Sequence, residues 1–412
     1  MTTPCVCCGS SSQQRILSLG EQPLANSYLR ADELSRSEPT YPLDVYVCEA
    51  CWLMHIEPMS SPEAIFGDYA YFSSYSTTWL EHAARYVDEV TRRFRLHPAS
   101  FVVEIASNDG YLLQHFLERS IPCLGIEPAA NVADAARAKG IDTLIAFFGS
   151  ELAAELAVQG KQADLIVGNN VLAHVASLTD FVAGLKTLLK PDGVITMEFP
   201  HLAHLIAKTE FDTIYHEHIC YFALFVARVL FADHGLTVFD VDEIPTHGGS
   251  LRVYVRHDDD PDPSKAVSES VEQVAAKEIR AGLREIGTYH AFARRVASVK
   301  DEVCAFFDQA RRKSNHVVGY GAPAKGNTLL NYCGLGVADL GYTVDRNPHK
   351  QGLFLPGSHV PICAPQQVLE DKPDYLFILP WNLRDEVMEQ MQQVRDWGGK
   401  FVVPIPELQV LD

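Results

Sequence analysis

The chain has 412 residues, of which 47% are hydrophobic and 21% are charged, and its formal net charge at pH 7 is −19. This length predicts two or three domains, because single hydrophobic cores stop growing well below it. The negative charge argues against nucleic acid as a partner, since such binding needs lysine and arginine to neutralise phosphates. No basic-then-apolar leader opens the sequence, and no apolar run reaches the roughly 18 residues of a membrane span, so we expect a cytoplasmic protein without a membrane partner.

Two Cys-x-x-Cys pairs stand near the N-terminus, Cys5 with Cys8 and Cys48 with Cys51. Two such pairs on short turns are typical of a tetrahedral thiolate site, and we predict structural Zn²⁺ on these four residues. The stretch between the pairs is longer than a usual zinc-ribbon loop, and four buried free thiols are the alternative. Cys7 lies inside the first pair, as a bystander or a competing ligand.

The order of the predicted elements indicates three domains. Strand-like runs alternate with amphipathic helical patterns over residues 101–255, which predicts an α/β fold with a doubly wound, mostly parallel sheet. A polar Asp/Pro stretch follows, then one or two long helices, then a second and smaller strand–helix series. We predict a zinc-binding domain over 1–65, a Rossmann-like domain over 66–257, and over 258–412 a helical connection with a smaller Rossmann-like α/β domain.

The strongest functional signal in the middle domain is the segment 103–110, Val-Glu-Ile-Ala-Ser-Asn-Asp-Gly. A hydrophobic strand ends in Glu104 and turns through small residues, up to Gly110, into a helix whose free N–H groups can face a ligand. Asn108 can adopt the left-handed conformation that glycine would otherwise provide. About twenty residues later a second strand ends in Glu127, which is suited to ribose hydroxyls.

A dinucleotide and S-adenosylmethionine both fit this layout. A dinucleotide prefers G-x-G-x-x-G, and here the first two glycine positions hold Ala106 and Asn108. Glu104 would repel a pyrophosphate, whereas it can accept a hydrogen bond from the ammonium group of a methionine moiety. The sequence therefore favours S-adenosylmethionine over a dinucleotide, and over a turn without a ligand.

Further cofactor contacts are expected after the third and fourth strands. Phe147 and Phe148 follow the third strand and offer an aromatic wall. Asn169 ends the fourth strand, at the sheet edge that faces the cofactor. Methyltransferases place their adenine and methionine contacts at such positions.

Taken together, these motifs resemble the S-adenosylmethionine-dependent C-methyltransferases that act on nucleotide-linked 4-keto deoxysugars. The resemblance covers nearly the whole chain and rests on the cysteine pairs, GEQPLANSYL, VEIASNDG, YHEH and GYGAPAKG. It implies a class I methyltransferase domain in the middle, a C-terminal domain that helps bind the nucleotide sugar, and methylation at C3 of a dTDP-linked substrate. Antibiotic sugars and cell-surface glycans both stay open as end products, as do a monomer and a homodimer.

The YHEH sequence supplies the predicted catalytic residues. The zincin pattern His-Glu-x-x-His is absent, and histidines satisfied in the core or at the surface are the alternative. The family motif is Tyr-x-Glu-His, which implies roles for Tyr215, Glu217 and His218 and leaves His216 at the variable position. His218 is the expected base that removes a proton beside the C4 ketone, while Glu217 orients the imidazole or binds substrate.

The resulting enolate oxygen needs hydrogen-bond donors. The resemblance implies Tyr215, Tyr71 and His174 in this role. Tyr69 and Tyr75 are rivals of Tyr71, because the segment is rich in tyrosine.

Three further residues are expected to hold the far half of the substrate. His247 and Arg252 flank a Gly-Gly turn and can donate to a phosphate or a ketone, although a turn before a buried strand explains them equally well. Lys325 lies in a strand–turn–helix typical of an anion site and would bind the nucleotide diphosphate. Asp345 at the next strand end suggests a second nucleotide, but no Ser or Thr follows Lys325 as a P-loop requires.

Two other functions fit the same residues. One is methylation at another carbon such as C5, or at a hydroxyl or an amine. The other is a non-catalytic, zinc-containing adaptor that keeps a methyltransferase fold.

Overall fold

The computed structural model describes residues 4–58, 72–75 and 77–412, apart from the side chains of Thr77 and His247. Within these residues the strands form three sheets, of four, seven and six strands. No helix in the described part of the chain combines the length and apolar character that crossing a membrane requires.

The first sheet has the strand order β1-β2-β3-β9, and all its pairs are antiparallel. Its strands are β1 (Gln13–Gln22), β2 (Tyr41–Cys48), β3 (Met54–Ile56) and β9 (Cys220–Tyr221). β9 comes from the middle of the chain, where Tyr221 pairs with Met54 and Cys220 with His55. The sheet that follows the first cysteine pair thus includes the strand directly after the YHEH sequence.

The second sheet has the order β10-β11-β8-β7-β4-β5-β6. Its strands are β4 (Val102–Ile105), β5 (Cys123–Ile126), β6 (Thr143–Leu144), β7 (Ala163–Asn169), β8 (Leu189–Pro200), β10 (Leu236–Ile244) and β11 (Ser250–His257). β4 to β8 run parallel, and β11 runs antiparallel to both neighbours. The chain leaves β4 toward β5 on one side and returns to β7 on the other, which creates a crevice at the carboxyl ends of these strands.

Helices cover both faces of this sheet, and a further one precedes it. They are α1 (Thr77–Arg93), α2 (Leu113–Leu117), α3 (Ala130–Ala138), α4 (Ser150–Val158), α5 (Leu178–Leu188), α6 (Leu202–Ala207) and α7 (Leu224–Ala232). In α1, Ala83, Tyr86, Val87 and Val90 are buried, at the spacing of one helical face.

The third sheet has the order β14-β13-β12-β15-β16-β17 and is parallel except for β17. Its strands are β12 (Val317–Tyr320), β13 (Thr343–Val344), β14 (Ile362–Cys363), β15 (Tyr375–Ile378), β16 (Lys400–Val403) and β17 (Gln409–Leu411). The helices of this part are α8 (Glu269–Arg280), α9 (Ile286–Arg312), α10 (Ala324–Cys333), α11 (Gln366–Asp371) and α12 (Arg384–Gln390). The predicted α/β architecture, with two Rossmann-like sheets, is confirmed.

Candidate active site

A cavity of about 610 Å³ lies at the carboxyl ends of β4, β5 and β7. Most of its lining comes from the loops of the second sheet. Asn26 from the β1–β2 connection also lines it, as do Lys325 and Lys350 from the third part of the chain. Segments associated with all three sheets therefore line one cavity.

The turn after β4 forms the floor of the cavity. Asn108 has a φ of 49°, so the predicted left-handed conformation is confirmed, and its side-chain oxygen accepts a hydrogen bond from the Ser73 N–H (2.9 Å). Gly110 does not line the cavity. A Cβ on Gly110 would collide with the Ile141 side chain and approach Ala136 of α3, so glycine here permits close packing of the turn on α3 and the loop after it.

Glu127 lines the cavity beside this turn. One of its carboxylate oxygens accepts from the Asn108 N–H (2.9 Å) and the other from the Ala129 N–H (2.9 Å). Each oxygen has a second lone pair, which suits the two hydroxyls of a ribose. Burial raises the pKa of Glu127, and the two N–H groups oppose this shift.

Glu104 lies beneath the turn rather than in the lining. Burial raises the pKa of Glu104 well above its ordinary value, and the nearby carboxylates of Glu127 and Asp109 raise it further. A cation bound above the turn would stabilise the ionised form of Glu104. This local excess of acidic groups suits the ammonium and sulfonium charges of S-adenosylmethionine.

Asn169 and two phenylalanines complete the fit to this cofactor. Neither polar atom of the buried Asn169 side chain has a hydrogen-bond partner among the described residues, and Asn169 lines the cavity. Phe147 and Phe148 line it as well, and Phe148 packs edge-on against Phe181 (5.4 Å between ring centroids). A buried amide without a partner, an aromatic wall and acidic groups together match an amino acid joined to a nucleoside.

Tyr215 and His218 face the same cavity and are hydrogen-bonded to each other. The Nδ1 atom of His218 lies 2.9 Å from the Thr213 carbonyl oxygen. A carbonyl can only accept, so Nδ1 carries the proton and Nε2 is the basic nitrogen. The Tyr215 hydroxyl donates to this Nε2 over 2.8 Å. In the neutral form of the ring, the nitrogen that can accept a proton is therefore Nε2, on a residue that lines the cavity.

His174 also lines the cavity, with its ring edge-on to His218 at 4.7 Å between centroids. Burial lowers the pKa of His174 to about 4, so this imidazole is neutral at pH 7. Tyr71 and its rival Tyr69 lie outside the described residues. Tyr75 is 56% exposed and does not line the cavity, and its hydroxyl contacts the His349 ring (3.2 Å).

The other two residues of the YHEH sequence face the N-terminal segment. Glu217 does not line the cavity, and its two oxygens accept from the Asn26 amide nitrogen (2.7 and 2.9 Å). Burial raises the pKa of Glu217 to about 7. His216 donates from Nε2 to the Pro42 carbonyl (3.3 Å). The group that orients the His218 imidazole is thus the Thr213 carbonyl rather than Glu217.

Two lysines from the third part of the chain bring positive charge to the cavity lining. The Lys325 ammonium lies 4.4 Å from the centre of the Trp381 ring, and Lys350 donates to the Ala322 carbonyl (2.8 Å). Burial lowers the pKa of Lys325, and the Asp212 carboxylate opposes this shift. Lys350 was not predicted, because no motif contains it. Asn26 was not predicted either, although it belongs to the GEQPLANSYL segment.

The structure places Arg252 away from the cavity, unlike the predicted substrate contact. Its guanidinium pairs with the buried Glu198 carboxylate (3.0 Å) and lies over the Tyr86 ring. Arg252 is 3% exposed, and a buried arginine needs such a carboxylate partner. Its charge is therefore used inside the fold. The side chain of His247 is outside the described residues.

The four predicted zinc ligands come together at one end of the first sheet. The sulfur atoms of Cys5, Cys8, Cys48 and Cys51 all lie within 4.8 Å of one another. Cys5 and Cys51 are 3.6 Å apart, as are Cys8 and Cys48. Sulfurs around Zn²⁺ at about 2.3 Å have this spacing. The chain carries a structural zinc site on these residues, and Cys7 is not part of the cluster.

Known proteins match this arrangement along nearly the whole chain. Family models describe a zinc binding domain over residues 5–66, a methyltransferase domain over 79–241 and a C-methyltransferase C-terminal domain over 245–406. The C-methyltransferase NovU of Streptomyces niveus is 36% identical over 410 residues, which cover 99% of this chain and 96% of NovU. The chain belongs to the C-methyltransferase family. This C-methyltransferase is an enzyme that uses S-adenosylmethionine, as predicted.

Two solved structures are each similar to less than half of this C-methyltransferase. The PH0226 protein of Pyrococcus horikoshii OT3 covers 45% of this chain and 94% of its own, with 12% identity and a TM-score of 0.38. The magnesium protoporphyrin IX methyltransferase ChlM of Synechocystis PCC 6803, with bound SAM, covers 47% of this chain and 88% of its own, with 14% identity and a TM-score of 0.33.

Proposed function

We propose that this C-methyltransferase methylates C3 of a nucleotide-linked 4-keto deoxysugar, with a dTDP sugar as the preferred substrate, in deoxysugar biosynthesis. One observation carries the proposal. The hydrogen-bonded pair of Tyr215 and His218 lines the same cavity as Glu127 and Asn169. A base and a hydrogen-bond donor beside a cofactor site are what carbon methylation next to a ketone requires.

The proton transfer is assigned to His218. The C4 ketone acidifies the proton on C3, and His218 accepts that proton on Nε2 as the enolate forms. The Thr213 carbonyl remains bonded to Nδ1–H and favours the imidazolium ion that results. S-adenosylmethionine, when bound, would supply an electrophilic methyl group to C3, and the S–CH3 bond would break with S-adenosylhomocysteine as the leaving group.

Tyr215 is assigned to the enolate oxygen. Its hydroxyl donates to Nε2 while that nitrogen is unprotonated. Nε2 has a single lone pair, so the hydroxyl leaves it as the C3 proton arrives and then donates to the enolate oxygen that forms. His174, whose ring is edge-on to the His218 ring, is the second proposed donor. Each donor of this kind contributes roughly 2–4 kcal/mol to the transition state.

The nucleotide diphosphate is assigned to the lysine end of the cavity. Lys325 and Lys350 are the lysines of its described lining, while Glu127 lies at the cofactor end. The lysines belong to the third part of the chain and Glu127 to the second sheet, so we assign the anion to the lysines and the cation to the side of Glu127. The proposed domains 1–65, 66–257 and 258–412 each contribute to the wall, so the substrate would lie between them.

Product analysis tests this function. The purified enzyme is incubated with S-adenosylmethionine and a panel of dTDP- and other NDP-4-keto sugars. The expected product gains one methyl group, and its NMR spectrum places that group on C3. A methyl group on C5, on oxygen or on nitrogen would replace the proposal by one of the alternative methylations. Binding of S-adenosylmethionine without any product would favour the adaptor.

A further inference from the structure

Within the described residues, Asn26 is the cavity-lining residue that comes from the N-terminal part of the chain. Its segment is held by two contacts with the third part of the chain, one with α10 and one with the connection between β13 and β14. The Asn327 amide donates to the Ala25 carbonyl (2.6 Å). Leu29 and Phe354 exchange two backbone hydrogen bonds, of 3.0 and 2.9 Å. The position of Asn26 is therefore determined by tertiary contacts and not by a free loop.

The Glu217 carboxylate orients the side chain of Asn26. The amide nitrogen of Asn26 donates to both oxygens of Glu217, so the carbonyl oxygen of Asn26 faces away from Glu217. The Tyr28 hydroxyl lies 3.5 Å from this carbonyl oxygen, but its single proton goes to the Ala322 carbonyl at 2.6 Å. The Asn26 oxygen thus keeps the capacity to accept a hydrogen bond at the cavity wall.

The YHEH sequence consequently has two faces. Tyr215 and His218 line the cavity, whereas Glu217 contacts Asn26. Asn26 in turn lines the same cavity as His218. A substrate whose reactive carbon lies at His218 would therefore occupy a cavity that Asn26 also lines.

We propose that Asn26 accepts a hydrogen bond from a hydroxyl group of the sugar, and that Glu217 is a positioning residue that acts through Asn26. This inference rests on the proposed function, since it concerns the residue that binds the sugar in the same cavity. The N-terminal segment then belongs to the substrate site in addition to carrying zinc.

Steady-state kinetics with the full-length, zinc-loaded enzyme test the inference. We expect Asn26→Ala to raise the KM for the nucleotide sugar by about tenfold, the cost of one hydrogen bond. The dissociation constant of S-adenosylmethionine should not change. Glu217→Gln should raise the same KM, because an amide facing an amide no longer fixes the orientation of Asn26. The double variant should be no worse than Asn26→Ala, since both changes remove one contact.

Ser27→Ala is the matched control. It removes the hydroxyl of the exposed residue next to Asn26 but no group that lines the cavity, so the KM for the sugar should rise less than in Asn26→Ala. A substrate series that lacks each sugar hydroxyl in turn provides a test on the wild-type enzyme. One analogue should lose about tenfold in kcat/KM with wild type and nothing further with Asn26→Ala.

The outcomes separate this inference from the proposed function. If wild type methylates no 4-keto sugar, the proposed function fails. If wild type is active but Asn26→Ala leaves the sugar KM unchanged, the inference is overturned. Loss of zinc or of cofactor binding in Asn26→Ala would show a purely structural role and overturn it too. The inference is also overturned if every analogue that lacks a hydroxyl still lowers kcat/KM in Asn26→Ala.

Discussion

The backbone N–H of Ile56 donates to the carbonyl of Ile219 over 3.0 Å, which joins the zinc-bearing sheet to the residue directly after His218. The N–H of Ile219 in turn donates to the Ala173 carbonyl (2.7 Å), next to His174. Ile219 thus connects the neighbourhood of both His174 and His218 to the sheet that carries the cysteines. Zinc should therefore affect the geometry of the proposed base, although it takes no part in the chemistry.

Removal of zinc should impair methyl transfer more than cofactor binding. We expect Cys48→Ser to lower kcat by on the order of 100-fold, which is the cost of a misplacement of about 1 Å at a reacting group. The dissociation constant of S-adenosylmethionine should change little, because β4 and β5 carry the turn and Glu127. Zinc content, calorimetry with S-adenosylmethionine and kcat are measured on the same preparations.

Cys7→Ser is the control for this experiment, since Cys7 is outside the cluster. It should keep its zinc and its kcat. A zinc-free Cys48→Ser enzyme with wild-type kcat would show that the sheet holds the histidines without the metal.

Replacement of His218 by Asn should abolish proton removal. We expect kcat to fall by roughly 10²–10⁴-fold, the usual contribution of a general base, with cofactor affinity near normal. Without S-adenosylmethionine, the wild-type enzyme should exchange the C3 proton of the 4-keto sugar with deuterium from solvent, and His218→Asn should not. NMR follows the exchange. Exchange at the wild-type rate in His218→Asn would assign the base to another residue.

Tyr215→Phe separates the donor from the base. The ring stays, the hydroxyl is lost, and Nε2 of His218 keeps its proton-accepting role. We expect kcat to fall by roughly 30- to 1,000-fold, the kinetic equivalent of one oxyanion donor. An unchanged kcat in Tyr215→Phe would mean that the hydroxyl does not contact the enolate.

The sequence predicted the parts of the site that are local in the chain. The turn from Glu104 to Gly110 and the four cysteines follow from residue type and spacing over short distances. Arg252 shows why other parts were not predictable. Arg252 lies opposite Glu198 where β11 pairs with β8, and the pairing of these two strands could not be inferred from the sequence.

Asn26, Thr213 and Lys350 were missed for the same reason. They reach the cavity through contacts between segments that are far apart in sequence, such as the bond from Asn26 to Glu217. The Thr213 carbonyl is a backbone group, so no residue type marks its contact with His218. Tertiary packing determines which of these groups reach the cavity. They cannot be recognised from a sequence motif until the fold is known.

The two lysines of the cavity should set affinity for the nucleotide sugar. Lys325→Met and Lys350→Met keep the length of the side chain but remove its charge. If these residues bind the diphosphate, each change should raise the KM for the sugar nucleotide roughly tenfold or more, as expected for a hydrogen bond to a charged group. Inhibition by dTDP should weaken in parallel, and cofactor affinity should not change.

Lys313→Met serves as the matched control, because Lys313 is exposed after the end of α9 and does not line the cavity. It should behave like wild type. If both cavity variants bind dTDP as tightly as Lys313→Met, the diphosphate lies elsewhere.

Two buried carboxyl groups beside Lys325 should make stability depend on pH. Burial raises the pKa of Asp212 and of Glu210 to about 7, and Asp212 accepts a hydrogen bond from the Trp381 indole (2.7 Å). The folded protein therefore binds these protons more tightly than the unfolded chain. The stabilising contribution is complete below about pH 4, the unfolded pKa, and is lost as pH rises through 7. For Asp212 alone this amounts to about 2–4 kcal/mol.

Urea unfolding at pH 5 and at pH 8 measures this loss of stability. The loss should be smaller in Asp212→Asn, because asparagine keeps an acceptor for Trp381 but does not titrate. An equal loss in both proteins would show that Asp212 stays ionised throughout, stabilised by Lys325.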